Sequence, residues 1–533
     1  MSAGGQERWG TRLGVILAVS GSAVGLGNFL RFPGVAAQNG GGAFMIPYFV
    51  ALVLVGIPVG WAEWTMGRYG GRKGFHSCPA IMGVIGGPLA RYLGVLGLLI
   101  PLVVYMYYGL VEAWCLQYAW AFARGGIGLV AGSPQAAAQS AAYFDTVSGV
   151  AAHGVLLQEG STLTFWIGVV ALNAYFVYRG LSGGIEKFCQ WAMPAMAICA
   201  VIVLVRVLTL GTPDPAHPEL SVESGLGFMW NPRLEALGRA DTWLAAAGQI
   251  FFSLSVGFGV IVNYASYLRR KDDVVLSGLT AASTNEVFEV GFGGMITLTA
   301  AFVFMGASLS IGSAYELGFE TLPVVFAQMG ALGNLIGALW FSMLFLAAIT
   351  SSLSMLQPIK AFLQEALGLS QGKAVAAVIA ATSCGSLWTL YYSKDQIALD
   401  TMDFWVGTAT IFVLATVQVI YFAWVFGVDR GLAEAHEGAR MRIPGVFRIV
   451  LKWIAPAYLL AVFIAFCSQS LGPRLQALLD DPIAGRTMIL VLAVLVLLLV
   501  VTRIGELRWR ALGLDVDGKV PPQDDPEPEA EPR

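Results

Sequence analysis

Long apolar runs separated by short polar stretches are the dominant pattern along this chain. A helix needs about 20 mostly apolar residues to cross the hydrocarbon core of a bilayer. Runs of that length predict an all-α membrane protein with twelve transmembrane helices. The predicted helices lie at 12–37, 42–67, 92–123, 161–179, 188–210, 241–268, 275–308, 333–363, 374–392, 400–427, 446–471 and 485–503.

Two of these apolar runs contain helix-breaking sequences. The first holds Gly-Ser-Ala-Val-Gly-Leu-Gly-Asn at 21–28, and the sixth holds Phe-Phe-Ser-Leu-Ser-Val-Gly-Phe-Gly at 251–259. Each glycine costs a helix roughly 1 kcal/mol relative to alanine. Inside a bilayer, an interrupted backbone is tolerated only where protein or a water-filled cavity satisfies its N–H and C=O groups. We therefore expect transmembrane helices 1 and 6 to be unwound around a binding site.

The two interruptions lie five helices apart, at corresponding positions in two halves of the chain. Paired interruptions of this kind are typical of transporters built from inverted repeats. Glycines that only let helices pack closely are the alternative, but polar side chains beside both breaks favour a 5+5 inverted repeat. The predicted organisation is a cytoplasmic N-terminus (1–11), a first repeat (12–210), a second repeat (241–427), two additional helices (446–503) and a cytoplasmic acidic tail (504–533).

Composition agrees with a protein that crosses the membrane many times. Apolar residues make up 57% of the chain and charged residues only 12%, with a mean hydropathy of +0.70. Soluble domains carry about twice that share of charge. Arginine and lysine are concentrated in loops on one side, which is therefore cytoplasmic, and twelve spans then place both termini there. The net charge of −3 says nothing about partners. The expected partners are the lipid bilayer and a small-molecule amino acid, and no nucleic-acid partner is expected.

Several motifs, in order along the chain, resemble the signature of the neurotransmitter:sodium symporter family. They are the glycine-rich 21–28, Arg31-Phe32-Pro33, Asn39-Gly40-Gly41-Gly42-Ala43-Phe44, 248–267, Thr350-Ser351-Ser352 and Met402-Asp403-Phe404-Trp405. The likeness covers nearly the whole chain apart from the outer loop and the tail. It implies a sodium-coupled symporter of a prokaryotic inner membrane that works by alternating access.

Sodium bound inside a protein prefers neutral oxygen ligands with at most one carboxylate. Unwound helices supply free carbonyls, and asparagine, serine and threonine supply side-chain oxygens. The resemblance implies a first sodium site that the substrate carboxylate completes, with Ala23, Asn28, Ser253 and Asn285 as protein ligands. It implies a second sodium site formed by the carbonyls of Gly21, Val24 and Ala347 and the hydroxyls of Thr350 and Ser351.

The lack of a side chain at Gly25 indicates the class of substrate. Monoamine-carrying members of the family have aspartate at this position, so a substrate of this protein should bring its own carboxylate. A half-helix N-terminus carries roughly half a positive charge and free N–H groups, which suit a carboxylate. By resemblance, an α-amino acid would bind through its carboxylate to the Leu26 and Gly27 amides and the Tyr108 hydroxyl. Its amine would bind to the Ala23, Phe252 and Ser253 carbonyls and the Ser255 hydroxyl.

The resemblance also implies a pocket for the substrate side chain, lined by Ser22, Val104, Tyr108, Phe252, Phe258, Ser351 and Met355. Because this lining is apolar and uncharged, it favours neutral, hydrophobic amino acids. Ser22 and Met355 depart from the family's bacterial leucine-transporting member, which has asparagine and isoleucine there. Methionine adapts to irregular space, so the hypothesis is that the pocket accepts larger or more varied side chains. The sequence does not identify the preferred amino acid.

Charged residues inside the predicted spans indicate gates and charge balance. Arg31 and Asp403 resemble the pair that closes the outer vestibule of the family, with Phe252 as a lid. Glu289 lies one turn after Asn285, where chloride-dependent members have serine. A fixed carboxylate can replace the anion, so transport is predicted to be chloride-independent.

The inner side of the chain departs from the family pattern. The leucine-transporting member places arginine three residues before the tryptophan that corresponds to Trp9, whereas this chain has Gln6. Trp9, Tyr267 and Glu365 are the expected inner-gate residues. Arg8 is the nearest cation, and the identity of the gate cation is left open.

A transport-inactive sensor or receptor of the same fold is the main alternative, because it would bind amino acid with sodium without taking it up. An enzyme is not expected, since the four histidines are scattered and form no nucleophile–base or metal spacing. The number of coupled sodium ions, proton counter-transport and the formation of a homodimer are left open by the sequence.

Overall fold

The chain is mostly helical in the part that the computed structural model describes, which comprises residues 7–130, 132–133, 135–150, 152–154, 160–213, 215–232, 234–306, 315–469 and 471–520. The first helices are α1 (Arg12–Ala23), α2 (Phe32–Gln38), α3 (Met45–Ala51), α4 (Ile57–Gly71), α5 (Cys78–Leu93), α6 (Leu96–Ala123), α7 (Ala136–Ser148), α8 (Leu163–Tyr178), α9 (Lys187–Leu208), α10 (Val222–Trp230), α11 (Ala240–Ser253) and α12 (Val260–Ala265). They are followed by α13 (Val274–Glu286), α14 (Thr299–Met305), α15 (Leu322–Gln328), α16 (Gly333–Leu367), α17 (Gln371–Tyr391), α18 (Ile397–Phe404), α19 (Ile411–Ile420), α20 (Val428–Ala435), α21 (Val446–Ile449), α22 (Ala455–Gln469), α23 (Leu471–Asp480) and α24 (Pro482–Ala511). Looser π-helical turns extend several of them, at Gly27–Arg31, Leu52–Gly56, Leu181–Glu186, Val287–Leu298, Glu316–Thr321, Trp405–Thr410, Tyr421–Gly427 and Val450–Ile454.

Within these described ranges, nine helical stretches are long and apolar enough to cross a membrane. They are Gly41–Arg72, Leu96–Ala123, Leu181–Leu208, Val274–Phe304, Gly330–Leu367, Gln371–Tyr391, Lys394–Ala435, Val446–Gln469 and Pro482–Ala511. A tenth crossing is formed if α1 and the bent segment Gly27–Gln38 count as one span. The predicted helix at 161–179 corresponds to the 16-residue α8, and that at 241–268 corresponds to the short pair α11 and α12. The count of twelve and the inverted repeat remain predictions.

Both predicted interruptions are present in the structure. α1 ends at Ala23, Val24 is extended (φ −75°, ψ 92°), and the helix resumes at Gly27 with a bend of 47°. α11 ends at Ser253, and the chain then passes through left-handed conformations before α12 begins at Val260. The φ values are 54° at Ser255, 76° at Gly257 and 81° at Gly259. Glycine tolerates such values without strain, which explains the Gly-x-Gly of the second break.

The interrupted helices lie against two long helices at the centre of the molecule. α6 and α16 pack along each other, and α16 also contacts α1, α9 and α24. α1 is further enclosed by α9 and α13, while α12 packs on α4. The free backbone groups of both breaks are therefore surrounded by protein, as a break at membrane depth requires.

The C-terminal region differs from the predicted acidic tail at 504–533. α24 continues to Ala511, and the chain beyond it packs back on the helices, where Lys73 pairs with Asp515 at 2.8 Å and Arg91 pairs with Asp517 at 2.8 Å. Acidic tail residues thus meet basic residues beside and within α5, which composition alone did not indicate. Residues 521–533 of the predicted tail, and residues 1–6 of the predicted N-terminus, lie outside the described residues.

Candidate functional site

Three side chains predicted as ligands of the first sodium meet in one buried cluster. The Asn28 amide donates to Asn285 Oδ1 at 2.8 Å and reaches Ser253 Oγ at 3.5 Å. The Asn285 amide donates to the same Ser253 oxygen at 2.6 Å. Asn28 Oδ1 accepts the Gly25 N–H at 2.8 Å, which ties the side chain to the break in its own helix. Ala23, at the end of α1, lines the cavity beside this cluster.

Glu289 completes the cluster with a carboxylate. Its Oε2 accepts hydrogen bonds from the Asn28 and Asn285 amides, both at 3.2 Å, and its Oε1 accepts one from Gln249 at 2.8 Å. All four side chains are buried. Sequence analysis missed Gln249, although a polar residue one turn before Ser253 in an apolar helix is a detectable signal. The arrangement offers neutral oxygens beside one fixed negative charge, which suits a hard monovalent cation.

The residues predicted for the second sodium also come together, between α1 and α16. The Ser351 hydroxyl points at the Gly21 and Ser22 carbonyls, at 3.4 Å and 3.2 Å. Thr350 Oγ1 donates to the Ala347 carbonyl at 3.0 Å, and a Cβ added to Gly21 would lie 3.2 Å from Thr350 Cβ. These groups provide the hydroxyl and carbonyl oxygens expected around sodium, and Val24 follows them at the turn where α1 ends.

A cavity lies between the two breaks, and most of the predicted substrate-binding residues line it. The lining residues are Ser22, Ala23, Gly25, Gly27, Asn28, Tyr108, Phe252, Ser253, Ser255, Phe258, Ser351 and Met355. The Leu26 N–H donates to the Tyr108 hydroxyl at 3.3 Å, so two of the three groups predicted to bind a carboxylate are adjacent. Val104 is fully buried one turn before Tyr108 but is not part of the lining. Its side chain is part of the hydrophobic core.

Gly25 has no space for a side chain. A Cβ at this position would lie 2.8 Å from Ser351 Oγ and 3.0 Å from the Tyr108 hydroxyl oxygen. Ser22, which departs from the family's bacterial leucine-transporting member, donates to Ser354 Oγ at 2.7 Å. Ser354 in turn donates to the Ser351 carbonyl at 2.7 Å. The Ser22 hydroxyl is therefore held by α16, and sequence analysis missed Ser354 as its partner.

On the outer side, Arg31 and Asp403 each have a different partner. The Arg31 guanidinium lies 4.3 Å from the centre of the Phe252 ring. Asp403 Oδ1 accepts a 2.7 Å hydrogen bond from the Tyr107 hydroxyl. Among the described contacts, Arg31 and Asp403 do not form a direct ion pair, because the guanidinium stacks on the proposed lid. Tyr107 was not identified from the sequence.

At the expected inner gate, Trp9 precedes α1, Tyr267 follows α12 and Glu365 lies near the C-terminal end of α16. The Trp9 ring N–H donates to the Tyr264 carbonyl at 3.0 Å. The His76 ring is stacked on Tyr267 with 4.3 Å between ring centres. Glu365 Oε2 accepts the backbone N–H groups of His76 and Ser77, which immediately precede α5.

Two charged residues that sequence analysis missed meet in this inner region. Lys360 Nζ and Glu7 Oε1 are 2.7 Å apart, and the Lys360 side chain is fully buried. A lysine within an apolar helix is a recognisable signal of a functional residue. Gln6, which departs from the family pattern, lies outside the described residues.

Comparison with known proteins gives consistent matches over most of the chain. A family model described as the sodium:neurotransmitter symporter family matches residues 6–125 and 138–510. A sodium-dependent transporter of Methanocaldococcus jannaschii is 29% identical over 490 residues, which cover 87% of this chain and 91% of the relative. Sodium-dependent nutrient amino acid transporter 1 of Drosophila erecta is 25% identical over 505 residues, which cover 86% of this chain and 77% of the relative. These relatives are named as transporters, which are not enzymes.

A solved structure shares the fold. The crystal structure of MhsT in complex with L-phenylalanine matches with a TM-score of 0.73 and 25% sequence identity. The match covers 86% of this chain and all of the other. The helical architecture described above is therefore the architecture of an amino-acid-binding protein of known structure.

Proposed function

Because the chain belongs to the sodium:neurotransmitter symporter family, we propose that it is a sodium-coupled symporter of neutral, hydrophobic α-amino acids. It is a multi-pass membrane protein of a family that uses sodium. The proposal places it in the inner membrane of a prokaryote, with both termini in the cytoplasm. Transport proceeds by alternating access, in which the two broken helices open the central cavity to one side at a time.

The observation that carries this proposal is the meeting of Asn28, Ser253 and Asn285 at the two breaks, beside the cavity. A sodium ion there would take oxygen ligands from three separate helices. A second ion would take the oxygens between Gly21 and Ser351. Because both proposed sites include backbone of the first break, sodium binding would stabilise one arrangement of that break. The substrate cavity would then be completed together with the ions.

The cavity supports an α-amino acid as substrate. Gly25 offers no carboxylate, and the Leu26 N–H and the Tyr108 hydroxyl are close enough to bind one from the substrate. Phe252, Phe258 and Met355 supply an apolar wall for the side chain. The phenylalanine bound to MhsT and the amino acid substrate named for the Drosophila relative agree with this class.

Sodium provides the driving force for accumulation. One positive charge that crosses about 100 mV contributes about 2.3 kcal/mol, and about 1.4 kcal/mol corresponds to a tenfold concentration ratio. Two coupled ions could therefore support accumulation by several orders of magnitude. Glu289, which contacts both asparagines, would supply the negative charge that otherwise requires chloride.

Uptake by the full-length protein in proteoliposomes tests this function. We expect labelled leucine to accumulate with an inward sodium gradient but not with potassium, and to be displaced by tryptophan and methionine more strongly than by glycine. Accumulation that does not depend on sodium would contradict the proposal, as would competition by alanine and glycine alone. Sodium-dependent binding without uptake would favour the transport-inactive sensor instead.

A further inference from the structure

We propose that Glu7 and Lys360 form the charge pair that closes the inner side of this transporter, with the anion on the N-terminal segment and the cation on α16. This polarity is the reverse of the arrangement expected from the family, in which the N-terminal segment carries the cation. The inference rests on the proposed transport function, and its test below includes a readout that does not require transport.

The pair is part of a compact polar cluster. Lys360 Nζ lies 2.7 Å from one Glu7 carboxylate oxygen, and Gln357 donates to the other at 3.3 Å. Lys360 also donates to Gln357 Oε1 at 3.3 Å, which closes the triangle. The Lys360 side chain is fully buried and that of Glu7 is 28% exposed. A buried ammonium group is strongly destabilising without a partner, so Glu7 is required where it lies.

The pair connects the N-terminal segment, which leads into the broken helix α1, to the central helix α16. Glu7 precedes Trp9, whose ring N–H is bound to the Tyr264 carbonyl, and this segment leads directly into α1. Lys360 belongs to α16, one of the two central helices. Separating the N-terminal segment from α16 therefore requires the charges of Glu7 and Lys360 to part.

A second contact holds the same segment from the opposite side. The Glu186 carboxylate accepts the Gly10 N–H at 2.7 Å and the Thr11 N–H at 3.0 Å, at the N-terminus of α1. Gly180 approaches Glu7 so closely that an added Cβ would lie 2.5 Å from its carboxylate oxygen. Its φ of 77° also favours glycine. Segment 7–11 is thus clamped between α16 and the turn that precedes α9.

Glu365, the carboxylate expected from the family pattern, has another role in this conformation. Its Oε2 accepts the His76 N–H at 3.1 Å and the Ser77 N–H at 2.8 Å, at the start of the 16-residue α5. Its backbone carbonyl accepts the Trp509 ring N–H at 3.0 Å. Glu365 therefore anchors α5 and α24. The contact that closes the inner side is instead made by Lys360 with Glu7.

Hydrogen–deuterium exchange of the full-length protein, in sodium buffer without amino acid, tests this assignment directly. Gly10 and Thr11 N–H groups are protected by Glu186 only while the segment is docked. We expect Lys360→Gln and Glu7→Gln each to increase the exchange rate of the peptide covering residues 7–15 roughly tenfold. Lys373, which is exposed near the start of α17, provides the matched control, and Lys373→Gln should exchange like the wild type.

The charge-swapped double variant Glu7→Lys with Lys360→Glu separates a specific pair from general damage. Because it restores opposite charges, it should return the exchange rate towards the wild-type value, whereas each single reversal should not. Equal exchange in Lys360→Gln and the wild type, or no recovery in the swap, would overturn the inference. Sodium-driven uptake is measured in the same variants. If the wild type shows no uptake while the exchange results follow this pattern, the proposed function fails and the closing pair stands.

Discussion

The side-chain amide of Asn28 donates a 2.8 Å hydrogen bond to Asn285 Oδ1, which joins the break in the first helix to the intact helix α13. Ser253, at the end of α11, accepts from both asparagines. Three helices therefore share one buried cluster. A movement of one of these helices relative to the other two would break hydrogen bonds of this cluster, so the proposed cation would favour the arrangement in which they are formed.

Replacing Asn285 by alanine removes a proposed sodium ligand and leaves the Asn28 amide without its closest acceptor. The Asn28 amide keeps Glu289 Oε2 as an acceptor at 3.2 Å, so the main loss is the Asn285 oxygen that would bind sodium. We expect the sodium concentration that gives half-maximal uptake to rise roughly tenfold or more. The measurement is uptake against sodium concentration in proteoliposomes. The exposed Asn334 is the control, since Asn334→Ala should leave sodium dependence unchanged; an unchanged curve for Asn285→Ala would argue against this site.

Replacing Gly25 by alanine should abolish high-affinity amino acid binding. The added methyl group would lie 2.8 Å from Ser351 Oγ and 3.0 Å from the Tyr108 hydroxyl oxygen, where we place the substrate carboxylate. We expect at least a tenfold loss of affinity, equivalent to about 1.4 kcal/mol, in equilibrium binding of labelled leucine. Gly168→Ala is the control because no atom lies within 4 Å of its Cβ. Normal binding by Gly25→Ala would show that the carboxylate is held elsewhere.

Replacing Met355 by alanine should shift substrate preference towards larger side chains. Met355 lines the cavity opposite the break in α1, and its truncation enlarges the apolar wall. One methylene in such a pocket changes discrimination by about 1–3 kcal/mol. We therefore expect the ratio of tryptophan to leucine uptake to rise roughly tenfold. The control is Met295→Ala, because Met295 is half-buried and lies outside the cavity. A ratio that does not change would place the substrate side chain away from Met355.

Replacing Glu289 by serine should make uptake depend on chloride. The substitution removes the negative charge that accepts hydrogen bonds from Asn28 and Asn285, so an anion must provide it instead. We expect the wild type to take up leucine equally in chloride and gluconate. The Glu289→Ser variant should be active only in chloride, with at least a tenfold difference between the two salts. Loss of wild-type uptake in gluconate would contradict the prediction.

Acidification should destabilise the folded protein through His76. Burial lowers the pKa of this ring to about 4, although the nearby Glu7 carboxylate acts in the opposite direction. The ring also contacts Ser266 and stacks on Tyr267. In water a histidine has a pKa of about 6.5. The unfolded state therefore binds more protons between these values, and stability falls as pH decreases below about 6.5.

The measurement for this prediction is the thermal midpoint of the full-length protein at about pH 7 and about pH 5. We expect the midpoint to fall on acidification in the wild type and to fall less in His76→Gln. The exposed His153 is the matched control, and His153→Gln should behave like the wild type. An equal fall in His76→Gln and the wild type would exclude this histidine as the cause.

Much of the architecture follows from local sequence. The glycines at 21–28 and 251–259 weaken two helices that lipid would otherwise keep regular, and both breaks appear where they were expected. The hydroxyl and amide side chains near the breaks also indicated the cation cluster and the cavity. The location of Val104 outside the lining shows the limit of this reasoning. The spacing of four residues places Val104 and Tyr108 on the same side of α6. It does not show how α6 is rotated about its own axis relative to the neighbouring helices.

Partners of buried polar side chains could not be predicted in this way. Gln249 on Glu289 and Tyr107 on Asp403 each involve helices that meet only in the folded protein. Glu365 occupies the acidic position expected from the family but is bound to the N-terminus of α5. A buried carboxylate accepts hydrogen bonds from the donor groups that lie nearest to it in the folded protein. Distance along the chain does not identify those donors.

The sequence by itself determined the membrane-spanning helical class and the two interruptions. These follow from hydropathy and from glycine in apolar runs, while the substrate type that Gly25 admits stays a prediction from the family resemblance. Only the tertiary structure decided which charges meet on the inner side. Lys360 and Glu7 are 353 positions apart in the chain, and their contact exists because the fold buries Lys360 and places the partly exposed Glu7 beside it as its counter-charge.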